Sequence, residues 1–207
     1  MKLSKGKKLI ILGVILVLVD QIIKVLVKTN MDLHESINVI GDWCRLNYVL
    51  NDGMAFGMAF GGVWGKLLLS LFRLGLVAAL VWWIFKLLKR QASDKVKPTP
   101  TGVLVGLTLI TAGALGNIID CFFYGIIWPE LAVQGAPFGF MFGQVVDMFY
   151  FPLFDYDLWG FKGTFFGAVF NFADACVTCG AIYLLLFQYK FFAKDSNEDS
   201  KVAAQGK

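Results

Sequence analysis

Four apolar runs constrain this chain more than any other feature. They lie at about 9–28, 65–88, 101–124 and 167–189, and crossing a bilayer takes about 20 residues. The first run follows lysines, as a signal peptide would. No small-residue cleavage site follows it, however, and its helical pattern continues through Asp20 and Lys24, so a retained first helix is expected. Charged residues make up only 16% of the chain, against about a quarter in soluble domains. Twenty Phe and six Trp fit side chains that face lipid and its interfaces. The fold class expected is an all-α membrane protein of four transmembrane helices. A small extracytoplasmic β-rich loop region and an interfacial segment complete it.

Orientation is read from lysine and arginine in short loops. Lys2, Lys5, Lys7 and Lys8 precede the first run, while Lys86, Lys89, Arg90, Lys95 and Lys97 follow the second. Lys190, Lys194, Lys201 and Lys207 follow the fourth. The loops 29–64 and 125–166 hold only Arg45 and Lys162, with Lys28 and Lys66 at their edges. Both termini are therefore expected on the cytoplasmic side. The net charge of +4 is small and dispersed, which argues against a nucleic-acid partner.

The organisation expected is one membrane domain, 1–192, and a disordered cytoplasmic tail, 193–207, with Gln91–Pro100 a polar turn. In the first outer loop, residues 37–60 alternate apolar and polar around Gly41-Asp42 and Asp52-Gly53, which suggests a small sheet or hairpin. Residues 125–166, rich in Trp, Phe, Tyr, Pro and Gly, suit a segment lying in the interface plane. Cys176 and Cys179 form a CxxC within an apolar helix with no second cysteine pair or histidine nearby, so packing is expected rather than redox or metal chemistry.

The polar residues fall at one depth. Asp20, Gln21 and Lys24 lie in the outer half of the first run, with Asp20 and Lys24 on one helix face. Asn117 and Asp120 share a face at the outer end of the third, and Asn171 and Asp174 do so at the start of the fourth, about 10 Å along from Gly167. Asp147 is expected in the loop before that helix, and Asn51 in the first outer loop. Ionisable groups in membrane helices are costly and face a bundle interior or an aqueous cavity. For Asp20, Lys24, Asn117 and Asp120 a structural role joining helices is favoured. Asp147 and Asp174 have no basic partner in sequence and are favoured as functional. Arg73 is expected to pack or snorkel.

Several chemistries drop out. The single histidine, His34, has no metal-ligand spacing around it, so neither a zinc peptidase nor a Ser–His–Asp triad can be assembled. Ser70 sits alone in an apolar helix, and Lys24 already faces Asp20, which weakens a Ser–Lys dyad. No phosphate-cradling loop is present, and no cofactor is expected. Two neighbouring carboxylates suffice for peptide hydrolysis, because like charges held close share a proton and one can act as base while the other donates.

In order along the chain, five motifs resemble the lipoprotein signal peptidase family, membrane aspartyl peptidases of bacteria. Asp20-Gln21-Ile22-Ile23-Lys24 resembles its first-helix D-Q-x-x-K, and Asn51-Asp52-Gly53-Met54-Ala55-Phe56-Gly57 its N-x-G-x-A-F-G. Gly113 to Asp120, with Gly116 and Asn117, is similar to G-x-x-G-N-x-x-D. Val145-Val146-Asp147 and Phe170-Asn171-Phe172-Ala173-Asp174 are similar to V-V-D and F-N-x-A-D. The resemblance implies that Asp147 and Asp174 are the catalytic pair. It implies that Asp20, Lys24, Asn51, Gly53, Ala55, Phe56, Gly116, Asn117, Asp120, Asn171 and Ala173 shape the site or bind substrate. The implied substrate is a diacylglyceryl-modified prolipoprotein, cut on the amino side of its lipidated cysteine. The implied setting is the bacterial inner membrane with lipid as the other partner, and a monomer is expected. Segment 54–60 is expected to cover the bound substrate as a lid.

This chain departs from the family pattern in two ways. Cys121 stands where the family usually has arginine, so another cation is expected to serve there. An insertion, 126–143, separates Gly125 from Gln144; interface docking, substrate contact and partner binding are all open for it. An ion carrier or a non-catalytic assembly factor is the competing reading. The carrier is disfavoured because no internal repeat is evident and the carboxylates cluster at one face rather than the midplane.

Overall fold

The computed structural model describes residues 3–52, 62–90, 98–158 and 161–192. Its first helix, α1 (Lys5–Asn30), is capped by the Ser4 side chain, which accepts from the Lys7 amide. Along α1 the usual arrangement of a soluble helix is inverted. Ile10, Val14, Ile15, Leu18, Ile22 and Leu26 are exposed, while Asp20 and Lys24 are buried. That pattern puts apolar side chains toward lipid and the charges toward the bundle interior.

Helices α2 (Gly62–Arg90) and α3 (Thr101–Ile119) follow. α3 is central and packs against α1, α2 and the last helix, α5 (Phe172–Phe187). It continues into a π-helical turn, Asp120–Tyr124, and a last helical turn, α4 (Gly125–Ile127). Among the described residues three helices are long and apolar enough to cross a membrane: Lys5–Asn30, Gly62–Arg90 and Thr101–Ile127. α5 is apolar but shorter, with 16 residues, about 24 Å of helix against a hydrocarbon core of about 30 Å.

α5 begins five residues later than the apolar run predicts. Gly167–Phe170 is not helical, and Phe170 instead bridges to Phe149 in an extended segment. The start is set by a capping box. The Asn171 side chain accepts from the Asp174 amide, and the Asp174 carboxylate accepts from the Asn171 amide. Asp174 therefore belongs to the first turn of α5, not to a point about 10 Å inside a helix.

Two small sheets lie outside the helices. β1 (Ser36–Ile40), β2 (Cys44–Asn51) and β3 (Val145–Tyr150) form an antiparallel sheet in that order, turning between β1 and β2 at Gly41, whose φ is 52°. The expected hairpin in 37–60 is thus β1–β2, and a third strand from far along the chain completes it. β4 (Phe154–Leu158) and β5 (Phe161–Phe165) form a separate hairpin. Asp147 lies in β3, which corrects its expected place in a loop.

Two apolar clusters bracket the polar region. Leu9, Leu80, Leu87, Val103, Leu104, Leu107 and Leu184 fill the space between helices at one end. Val27, Tyr48, Tyr124, Leu131, Val146 and Met148 pack behind the three-stranded sheet at the other. The insertion folds back on its own chain. Gly143 N donates to Cys121 O at 2.9 Å, Gln144 N to Leu131 O at 2.8 Å, and Leu131 and Phe142 are buried.

Candidate active site

The buried charges of α1 and α3 meet at Lys24. Its ammonium lies 2.9 Å from Asp20 Oδ2, 2.8 Å from Asp120 Oδ2 and 2.8 Å from Asn117 Oδ1, so each of its three hydrogens has an acceptor. Asp20 Oδ1 accepts from the Ala173 amide at 2.9 Å, satisfying a free donor in the first turn of α5. Asp120 Oδ2 also accepts from Val146 N in β3 at 3.3 Å, and Asp120 Oδ1 accepts from Gln21 Nε2 at 2.9 Å. One lysine and two aspartates thus join α1, α3, α5 and the strand that carries Asp147. Gly116 lets them approach: a Cβ there would lie 2.6 Å from Asp20 Oδ2.

That cluster sets the amide orientations above it. Lys24 can only donate, so Asn117 must turn its Oδ1 toward it. Asn117 Nδ2 is then free to donate to Asp174 Oδ1 at 2.8 Å. Asn171 Nδ2 donates to Asn117 Oδ1 at 3.0 Å and to Asp147 Oδ1 at 2.6 Å, while its own Oδ1 caps α5. Asn51 Nδ2 donates to Asp147 Oδ2 at 2.9 Å. Strand register makes that contact possible. Asn51 pairs with Val145, so Asp147, two residues on, shares its face of the sheet.

Asn171 therefore holds both carboxylates, Asp147 through its side-chain Nδ2 and Asp174 through its backbone N–H, and each takes its hydrogen bonds from amides. Asp147 is 1% exposed; Asp174 is half-buried. Burial first, and the Asp174 charge second, push the Asp147 carboxyl up to about 7, against the hydrogen bonds from Asn51 and Asn171 and the more distant charge of Lys24. A half-buried carboxylate beside a carboxyl that keeps its proton near neutrality can pair a base with a hydrogen-bond donor. No group of three or more His, Cys, Asp or Glu among the described residues has a metal-holding arrangement.

Asp20, Lys24, Asn51, Gly116, Asn117, Asp120, Asp147, Asn171, Ala173 and Asp174 lie together in one region. Gly53, Ala55 and Phe56, with the expected lid 54–60, lie outside the described residues, as do 91–97 and the tail 193–207. Gln21, placed at this depth by the sequence but given no role, belongs to the chamber, as does Tyr124, which the sequence did not mark; Tyr124 Oη donates to Gln21 Oε1 at 3.1 Å. The signal for Gln21 was an uncharged polar residue between two charges in an apolar run.

Two cations approach Cys121. Lys66 Nζ lies 3.5 Å and Arg73 Nη1 3.3 Å from the Cys121 Sγ, both from α2. Lys66, 4% exposed, also donates to the Asp52 carbonyl at 3.1 Å, and Gln144 Nε2 donates to Asp52 Oδ1 at 2.7 Å. Asn51, beside the carboxyl pair, is thereby tied through its neighbour to α2 and to the end of the insertion. Ser70 donates to the Met141 carbonyl at 3.0 Å, a packing contact. Cys176 is buried, as packing requires, and Cys179 is exposed on the outer surface of α5; both are free thiols.

Comparisons with known proteins identify the family. The sequence profile of Signal peptidase (SPase) II matches residues 12–190. The lipoprotein signal peptidase of Porphyromonas gingivalis is 40% identical over 200 residues, covering 89% of this chain and 84% of that protein. That of Amoebophilus asiaticus is 35% identical, covering 84% and 75%. That of Chlorobaculum tepidum is 31% identical, covering 89% and 95%. A solved structure described as a bacterial membrane enzyme, determined by the in meso method at 1.9 Å resolution, superposes with a TM-score of 0.60 at 25% identity, covering 87% of this chain and 91% of that one. With its carboxyl pair, its buried lysine and a family match across nearly all of its length, this chain belongs to the signal peptidase II family.

Proposed function

We propose that Asp147 and Asp174 are the catalytic dyad of an aspartic endopeptidase that removes the signal peptide from diacylglyceryl-modified prolipoproteins, on the amino side of the lipidated cysteine. The single observation that carries the assignment is the shared Asn171, which donates to Asp147 and caps the helix whose first turn holds Asp174. Asp174, the more open of the two, takes a proton from the attacking water. Asp147 holds the dyad's proton and donates a hydrogen bond to the scissile carbonyl. As the tetrahedral intermediate collapses, the proton gained by Asp174 passes to the leaving amine, and the pair returns to one shared proton. The titration belongs to the dyad as a unit.

Four spans, both termini cytoplasmic and a dyad near the extracytoplasmic face complete the reading, with the chain acting as a monomer in the inner membrane. Lysine and arginine placement supports the orientation, and the apolar α5 alongside α3 supports a fourth span. A lipid-anchored scissile bond is held near the membrane interface, which suits a dyad at that depth. The test is cleavage of a diacylglyceryl-modified prolipoprotein by purified wild type, Asp147→Asn and Asp174→Asn, all verified for folding and substrate binding. Cutting by wild type alone supports the dyad. Near-normal turnover by either variant removes that residue from it.

A further inference from the structure

The β4–β5 hairpin pairs in full register: Phe154 with Phe165, Asp155 with Thr164, Tyr156 with Gly163 and Asp157 with Lys162. Alternation along each strand therefore separates two faces. One carries a Thr164–Asp155 hydrogen bond of 2.7 Å and a Lys162–Asp157 ion pair of 3.2 Å. The other carries aromatic rings. Phe154 and Phe165 stack with centroids 4.9 Å apart and planes 8° from parallel, and the Tyr156 ring occupies the space a side chain at position 163 would need.

This ordered aromatic face is open. Phe154 is 58% exposed and Phe165 47%, with Leu153 and Phe166 exposed at its edge. The hairpin shares no strand pairing with the three-stranded sheet. Two-stranded hairpins are marginal in water unless one face packs on something, and a contiguous apolar patch rimmed by charge marks a contact surface.

The hairpin's attachment identifies what covers it. The chain leaves β5 through Phe166, whose ring contacts Phe170 at 6.4 Å. Phe170 exchanges backbone hydrogen bonds with Phe149 of β3, two residues from Asp147, and immediately precedes the cap of α5. The aromatic face is thus pinned where an apolar helix begins, and α5 itself exposes Ile182, Leu185 and Leu186 further along. Aromatic rings on one face and charges on the other are the composition of an element lying in the lipid interface.

We propose that the β4–β5 hairpin is an interfacial arm, its Phe154–Tyr156–Phe165 face immersed in the leaflet beside the dyad and its Asp155–Asp157–Lys162–Thr164 face in water. The proposal rests on the reading that the dyad sits at the membrane interface. It is tested in vesicles of phosphatidylethanolamine and phosphatidylglycerol, with the photoreactive residue p-benzoylphenylalanine replacing Phe154, Phe165, Asp155 or Thr164 in turn. After irradiation, intact-protein mass spectrometry reads phospholipid adducts. The two aromatic-face positions are expected to give about ten-fold more adduct than the polar-face positions. Equal yields on both faces overturn the arm, as does capture of a second copy of the chain from positions 154 and 165. Cleavage of lipid-modified prolipoprotein in the same vesicles is read in parallel. Cleavage without face-selective adducts ends the arm and leaves the peptidase reading intact, whereas loss of cleavage in wild type ends the peptidase reading whatever the adducts.

Discussion

Asp20 and Asp120, in the helical part of the polar chamber, both contact the ammonium of Lys24. Asp147 and Asp174, at its sheet-side edge, take their hydrogen bonds from amides. Four carboxylates within one small volume are thus divided by their donors. An ammonium with all its hydrogens committed stabilises ionised partners and fixes helices. Amide donors leave one proton to be shared, which is the condition for acid–base work. The difference gives the buried lysine a structural role in the reading proposed above, its contact with the carboxyl pair passing through Asn117 and Asn171.

The largest expected effect breaks the proposed dyad. Asp147→Asn or Asp174→Asn should lower turnover by about 100- to 10,000-fold, read by single-turnover cleavage with protein verified as folded. Lys24→Met should act on the fold instead. It leaves two carboxylates buried beside each other without their cation, at a cost of about 3–5 kcal/mol, seen as a large fall in detergent-solubilised thermal stability. Were Lys24→Met to fold normally and lose only turnover, the division drawn above would collapse. Gly116→Ala should cost about 1–3 kcal/mol by pressing a methyl against the Asp20 carboxylate.

A fourth prediction sharpens the contrast through pH. Asp147 is raised to about 7 in the folded chain from an ordinary value near 3.8. Below about pH 4 both folded and unfolded chains hold its proton; between there and about pH 7 only the folded chain does. The stability linked to Asp147 is therefore full at low pH and lost as pH rises through about 7. Asp147→Asn should remove that loss, so the variant gains on wild type as pH is raised from 5 to 8 in chemical denaturation. The cleavage rate should fall over the same upper range as the dyad loses its shared proton.

The smallest effect concerns α2. Cys121→Arg puts a third cation against Lys66 and Arg73. It should reduce activity alone and recover when combined with Lys66→Met, a coupling of about 0.5–3 kcal/mol in a double-mutant cycle.

Much of this was legible in the sequence, for physical reasons that also set the boundary. Long apolar runs declare their helices, and charges inside them declare an interior, so α1, α2, α3 and the Lys24 cluster were readable. The strand at Asp147 was not, because its partner, Val49, lies far away in sequence and no local pattern reports such pairing. The start of α5 was misjudged because Gly167–Phe170 is as apolar as the helix it precedes; the capping box at Asn171 and Asp174 was the signal that locates it. The β4–β5 hairpin was hidden in a stretch rich in aromatic residues. Lys66 and Gln144 stood outside the recognised motifs, yet a lysine within an apolar run was itself a sign of a buried contact.

The apolar cluster of Leu9, Leu80, Leu87, Val103, Leu104, Leu107 and Leu184 has a bearing beyond packing. A hydrolase handling protons in an energy-coupling membrane risks becoming a short circuit for the proton gradient. Hydrogen-bonded groups at one end of this bundle give way to hydrocarbon at the other, and the seven side chains of that cluster carry no donor or acceptor to relay a proton. With the dyad at one interface, as proposed above, each turnover's proton returns to the compartment from which the water came.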